Sequence, residues 1–267
     1  IIISQSGETA DTLAALREAN ARGARTLAIV NVVGSAISKA AHDVIYTWAG
    51  PEIAVATTKA FSTQLSVIYL LALHFAQQLG TMTDAAQADI LAQLQQLPDE
   101  MSKFLCEENI SAIQYCASQF FNHRDVFFIG RNLDSAICLE GSLKLKEIAY
   151  IHSEAYPAGE LKHGPISLIE DGTLVMAMAT MPELFEKTMA NVKEVKARGA
   201  KVLAVAPAGE RRILAAADDV ITVPRTGPLL DPVAEIVPLQ LLAYYAAREL
   251  GCDIDKPKNL AKSVTVE

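Results

Sequence analysis

The sequence predicts an α/β fold built from two tandem copies of one unit, each a parallel sheet flanked by helices. Two observations carry this. ARGARTLAIV at 21–30 returns as ARGAKVLAVA at 197–206, identical at six of ten positions and 176 residues away. The same spacing relates Gln64-Leu65 to Gln240-Leu241, and Gly50-Pro51 recurs one residue out of step as Gly227-Pro228. In both copies an apolar strand runs through a turn into an amphipathic helix ending in Arg-Gly. A second strand follows, TLAIVNV or KVLAVAP, which is the sequence form of a βαβ crossover.

The elements follow in order. The first domain is placed at 1–80 and opens inside a strand, IIIS, with SQSGET at the start of the next helix. In the second copy a further strand, VFFIG at 126–130, and a long helical pattern precede the counterpart of Ile1. The first copy has neither, so its domain is expected to be truncated at its N-terminus. LSVIYLLALHFA at 65–76 is too short to cross a bilayer and reads as a buried helix. A polar helical connector is expected at 81–110, broken at Pro98, before a second domain at 111–251. The tail at 252–267 loses periodicity and carries Pro257; pattern alone leaves a disordered terminus open.

Composition narrows the function. A net charge of −8 over 267 residues argues against a partner recognised through a nucleic-acid backbone. It leaves a small anion possible, since a few local donors capture one phosphate. The four cysteines at 106, 116, 138 and 252 have no metal-ligand spacing, and scattered thiols suit a reducing cytoplasm. No metal or membrane association is expected.

Three stretches carry chemistry. In SQSGET, the hydroxyls of Ser4, Ser6 and Thr9 stand where backbone N–H groups and the positive end of a helix dipole attract an anion. Ser4 or Ser6 as an ordinary helix cap is the competing reading. In LEGSLKLKEIAYIHSEAYPAGELKHGP, residues Glu140, Lys144 and Glu147 share one helical face among apolar neighbours. That is either a solvated charged stripe or a set of proton-transfer groups. Further on, Gly159, Gly164 and Pro165 frame a loop presenting His163. A lysine of the tail folded over a site is suited to Schiff-base chemistry with a sugar carbonyl.

SQSGETADT, AVATTKAFSTQL, LKLKEIAYIHSEAYPAGELKHGP and NLAKSVTVE, in that order, closely resemble the isomerase half of the glutamine–fructose-6-phosphate aminotransferase family, over the whole of 1–267. The resemblance implies two tandem sugar isomerase (SIS) domains, each a five-stranded, flavodoxin-like parallel sheet between helices. It implies a phosphate cradle from Ser4, Gln5, Ser6 and Thr9, and backbone contacts near the sugar from Val55. It implies that Glu147 moves a proton between C1 and C2 while Lys144 supports the intermediate. His163, reaching in from a neighbouring subunit, assists ring opening, and Lys262, beside Ala261, forms the Schiff base. The implied substrate and product are fructose 6-phosphate and glucosamine 6-phosphate. The implied assembly is a homodimer with an N-terminal glutaminase domain supplying ammonia, and no cofactor is called for. A phosphate-binding CGTS-type loop is implied just upstream of Ile1. Two other readings stay open: a different amino-sugar-phosphate isomerase or deglycase of the same fold, and a non-catalytic sugar-phosphate-binding module.

Overall fold

The computed structural model describes residues 1–123 and 125–265. It divides into two compact units, one of residues 1–89 with 255–267, the other of residues 90–254. The tail therefore groups with the first unit, where the sequence suggested a segment of its own.

In the first unit, β1 (Ile2–Ser4), β2 (Leu27–Val30) and β3 (Asp43–Tyr46) form a parallel sheet in that order, pairing Ile3 with Ile29 and Val30 with Tyr46. Helix α1 (Ala10–Ala21) crosses from β1 to β2, and the short α2 (Ala36–Ala40) follows β2. The core beneath them is Leu16, Ala28, Val30 and Ile37, all fully buried. Helix α3 (Lys59–Leu79) completes the unit.

The second unit contains α5 (Glu107–Phe120), β4 (Asp125–Gly130), α6 (Leu133–Ala149) and β5 (His152–Pro157). These are followed by β6 (Leu174–Met178), α7 (Phe185–Lys196), β7 (Lys201–Pro207), β8 (Asp219–Val223) and α8 (Asp231–Glu249). Its sheet is parallel throughout, in the order β5-β4-β6-β7-β8. β6 and β7 are buried on both faces and read as continuous apolar runs, as a sheet covered by helices requires. Gly141 lets α6 approach α8 closely, because a Cβ there would lie 2.6 Å from Leu239 Cδ1.

The repeat is visible in space. At the 176-residue spacing, β1, α1, β2, β3 and α3 correspond to β6, α7, β7, β8 and α8. β4, α6 and β5 have no counterpart among the described residues of the first unit, so its sheet has three strands where the resemblance implied five.

That difference explains one correction. LSVIYLLALHFA is helical as expected but not buried: α3 buries only Ala60 and Leu73, and leaves Leu70 and Phe75 exposed. Its counterpart α8 packs against α5 and α6 and buries eleven residues. A second correction concerns the connector. α4 (Asp84–Phe104) runs straight through Pro98, which costs one backbone hydrogen bond without ending the helix. No helix among the described residues is long and apolar enough to cross a membrane.

Candidate functional site

The first unit gathers three of the predicted stretches. β1 ends at Ser4 and α1 begins at Ala10, so residues 5–9 form the turn between them. Gly7 N–H donates to Ser4 Oγ at 3.0 Å, and Glu8 N–H donates to Ser6 Oγ at 3.2 Å. Thr9 Oγ1 lies 3.5 Å from Ser4 Oγ. The N-cap residue is Thr9, with no side-chain cap bond. The capping reading of Ser4 and Ser6 is thus corrected: both hydroxyls close amides of the turn itself, because the left-handed kink at Gly7 delays the helix.

Gly7 is constrained twice. Its φ is +68°, and a Cβ would sit 2.1 Å from Ser35 Oγ, so no other residue fits unstrained. The turn's carbonyls are used inward: Gln5 accepts from Asn31 N–H at 3.1 Å and Gly7 from Ile37 N–H at 2.9 Å. The Glu8 carboxylate accepts from Ala36 N–H at 2.8 Å. The serine and threonine hydroxyls, groups that can donate to an anion, are left at the positive end of α1.

The tail is laid on this unit, so the disordered-terminus alternative is also corrected. Val55 N–H donates to Asp255 O at 3.0 Å, and Lys262 Nζ donates to the Ala54 carbonyl at 2.6 Å. Ala10 N–H donates to Val264 O at 3.0 Å, which fixes the tail on the first turn of α1. Ser4, Gln5, Ser6, Thr9, Val55, Ala261 and Lys262 therefore share one unit, tied together by backbone bonds. The last two residues of NLAKSVTVE lie outside the described residues.

The second unit holds Lys144, Glu147 and His163. On α6 the Lys144 ammonium is buried between two carboxylates, 2.5 Å from Glu147 Oε2 and 3.5 Å from Glu140 Oε1. Burial pushes the Glu140 carboxyl up, and the Lys144 charge offsets part of that. This is a desolvated ion triad, not the solvated stripe left open by the sequence. Its register is fixed by Ser142, whose hydroxyl meets the Ser153 hydroxyl of β5 at 3.0 Å. His163 is exposed at the end of a 3-10 turn, Glu160–His163, anchored by the fully buried Leu161. Its neighbour Lys162 pairs with Glu194 at 3.3 Å.

An open cleft of about 550 Å³ lies in the second unit, at the amino ends of β4, β5 and β6. It contains none of the predicted residues, and ligands of open α/β sheets bind at the carboxyl ends. Among the described residues no cluster of His, Cys, Asp and Glu is arranged to hold a metal, and all four cysteines are free.

Sequence reasoning missed one cluster. Asp134, Thr180 and Glu235, each at most 3% exposed, meet where α6 and α8 start and β6 ends. Asp134 accepts from Thr180 N–H at 3.0 Å and from the Thr180 hydroxyl at 2.5 Å. A lone glutamate within the apolar run VAEIVPLQLL was the available signal.

Comparisons with known proteins bear on this geometry. The family model described as SIS domain matches residues 1–74 and 119–249. The chain is 59% identical over its whole length to glutamine–fructose-6-phosphate aminotransferase [isomerizing] of Caldanaerobacter subterraneus subsp. tengcongensis, and 48% identical to that of Thermus thermophilus. It spans 44% of each of those relatives, less than half their length. Among solved structures it is similar to the C-terminal domain of glucosamine-fructose-6-phosphate aminotransferase from Francisella tularensis. There the TM-score is 0.90 and the identity 37%, covering 96% of this chain and 72% of that one. Glucosamine-6-phosphate deaminase from Thermotoga maritima aligns with a TM-score of 0.74 at 26% identity, covering 98% of this chain and 74% of that one.

Proposed function

The chain belongs to the SIS domain family, with the C-terminal domains of the glutamine–fructose-6-phosphate aminotransferases, and from that premise we propose that it converts fructose 6-phosphate and ammonia to glucosamine 6-phosphate and water through a Schiff base and a C1-to-C2 proton transfer. The observation that carries the reading is in the first unit: the terminal segment brings the Lys262 amine onto the Ala54 carbonyl while its Val264 carbonyl sits on the first turn of α1, after SQSGET.

In this reading Ser4, Gln5, Ser6 and Thr9 hold the phosphate, which leaves the sugar to extend toward Val55, Ala261 and Lys262. Hydrogen bonds to a charged group are the strong ones, so a few donors suffice despite the chain's acidic balance. His163, from a neighbouring subunit of a homodimer, assists ring opening. The Lys262 amine adds to the C2 carbonyl, water leaves, and an iminium forms. Ammonia displaces the lysine amine, regenerating it. Glu147 then takes a proton from C1 and returns it to C2, giving a C1 aldehyde and a C2 amine. Lys144, held 2.5 Å from Glu147, supports the oxygen of the enolamine intermediate. Electrophilic activation comes from the iminium itself. Ammonia comes from a glutaminase domain of the same protein, in the cytoplasm.

Borohydride reduction in the presence of fructose 6-phosphate tests the covalent step. The expected result is a sugar adduct on Lys262 alone; an adduct confined to other lysines refutes the assignment.

A further inference from the structure

The repeat assigns each residue of the first unit's anion turn a counterpart in the second. Thr180 occupies the position of Ser4, and Glu235 that of Lys59, at the same 176-residue spacing. SQSGET thus becomes TMPELF, and a lysine becomes an acid.

The second corner is closed. Its cavity of about 10 Å³, lined by Asp134, Thr180, Glu183, Asp231 and Glu235 among apolar residues, has no lysine, arginine or histidine in its wall. That is space for one water at most, and none for a phosphate. Glu235 is 1% exposed, and its Oε2 has no hydrogen-bond partner. It lines the same small cavity as Thr180, whose only hydroxyl proton is already donated to Asp134 Oδ1 at 2.5 Å. What Thr180 can still offer Glu235 is a lone pair. Two ionised carboxylates in a buried corner with no cation in its wall are mutually repulsive, and one proton resolves both defects. It neutralises a charge, and it lets Glu235 donate where it otherwise has no partner.

We propose that this corner is a proton-binding site: Glu235 is held as the neutral acid and donates to Thr180 Oγ1, which donates to the Asp134 carboxylate. The groups facing Glu235 agree in sign. Asp134 and Cys138 on α6, Glu183 after β6 and Asp231 on α8 are all acidic or neutral. Burial first, and the Asp134 charge second, push the Glu235 carboxyl up, to about 8. Burial pushes Asp134 up as well, while the Thr180 bonds pull it back.

The sign of the linkage follows. In the unfolded chain Glu235 ionises at about 4.3. Its contribution to stability is complete below that pH and is lost as pH rises through the folded value. Between about pH 5 and 7.5 the folding equilibrium therefore weakens by up to tenfold per pH unit on this account. Urea unfolding of the 267-residue chain and of Glu235→Gln, which keeps a donor but cannot ionise, reads this directly. The variant is expected to be flatter across that window. Parallel pH profiles for the two proteins overturn the proposal. Should the variant fail to fold, carbon-13 spectra of glutamate carboxyls in the unaltered chain decide. One carboxyl other than Glu140, which Glu140→Gln removes from the spectrum, is expected to stay protonated at pH 7; ordinary titration of all the others overturns the proposal. Stabilisation at pH 7 by potassium or magnesium chloride over choline chloride, absent in Glu235→Gln, assigns the corner to a cation and also overturns it.

Discussion

The carboxyl ends of β1 and β6 are the same place in two copies of one unit. After β1 the chain turns through Gly7, lays its carbonyls inward on residues 31–37, and presents hydroxyls at the start of α1. After β6 it passes through Met181 and Pro182 into α7, and Thr180 is tied to Asp134 and shares a small cavity with Glu235. The backbone frame is shared, and the chemistry is reversed. A parallel βαβ crossover provides a helix N-terminus near each strand end, but whether an anion is held there depends on side chains and on what fills the corner. In the second unit a buried acid pair fills it. Lys144 and Glu147, proposed as catalytic groups, stand elsewhere, on α6.

The comparison breaks most visibly at the groups without a counterpart. Replacing Glu147 by Gln removes the proposed base while keeping its shape, and hexose-phosphate isomerisation is expected to fall by about 10²–10⁴-fold. Sugar-phosphate affinity, followed by calorimetry, stays within about threefold, since only transition-state stabilisation is lost. Loss of affinity in proportion to rate would place Glu147 among the binding groups instead.

Removing hydroxyls from the first corner tests the next-largest effect. Ser4→Ala or Thr9→Ala is expected to weaken fructose 6-phosphate binding by about 10- to 100-fold, the worth of one hydrogen bond to a charged group. Thr180→Ser, at the equivalent place, leaves affinity unchanged. Equal losses from both corners would erase the distinction between them.

Stability comes third. Lys144→Met strands Glu140 and Glu147 in a largely desolvated site, and the expected cost is about 2–4 kcal/mol, somewhat under that of breaking a fully buried pair. Gly7→Ala combines a left-handed φ with a contact against Ser35, at about 2–4 kcal/mol. Both are read as a lower urea midpoint. A Gly7→Ala protein as stable as the parent would mean that the turn is not the rigid element described above. The smallest expected change is at Ser6. Among the described residues its Oγ accepts only from the exposed Glu8 amide, so Ser6→Ala is expected to alter the unfolding free energy by less than about 0.5 kcal/mol while still weakening sugar-phosphate binding.

Much of this was legible beforehand. ARGARTLAIV and its copy located β2 and β7 and the helices before them, because a βαβ unit has a strong alternation of apolar strand and amphipathic helix. SQSGET, LKLKE and NLAKS were visible as motifs, and the structure sets the first and last in one unit. Four things were not legible. Burial of α3 depends on neighbours in space, and among the described residues the first unit has no counterpart of α6. Pro98 looked like a break, yet a proline within a long helix forfeits only one bond. The Asp134–Thr180–Glu235 corner joins residues from three distant elements, and no local pattern announces such a meeting. The N-cap also moved, because the effect of Gly7's positive φ on where a helix starts is a backbone property.

Hydrogen exchange of the 267-residue chain, with and without fructose 6-phosphate, tests most directly that one corner holds the anion and its counterpart does not. Added sugar phosphate is expected to slow exchange at the amides of residues 5–10 and to leave those of residues 181–186 unchanged. Protection at 181–186, or at neither segment, would contradict the account.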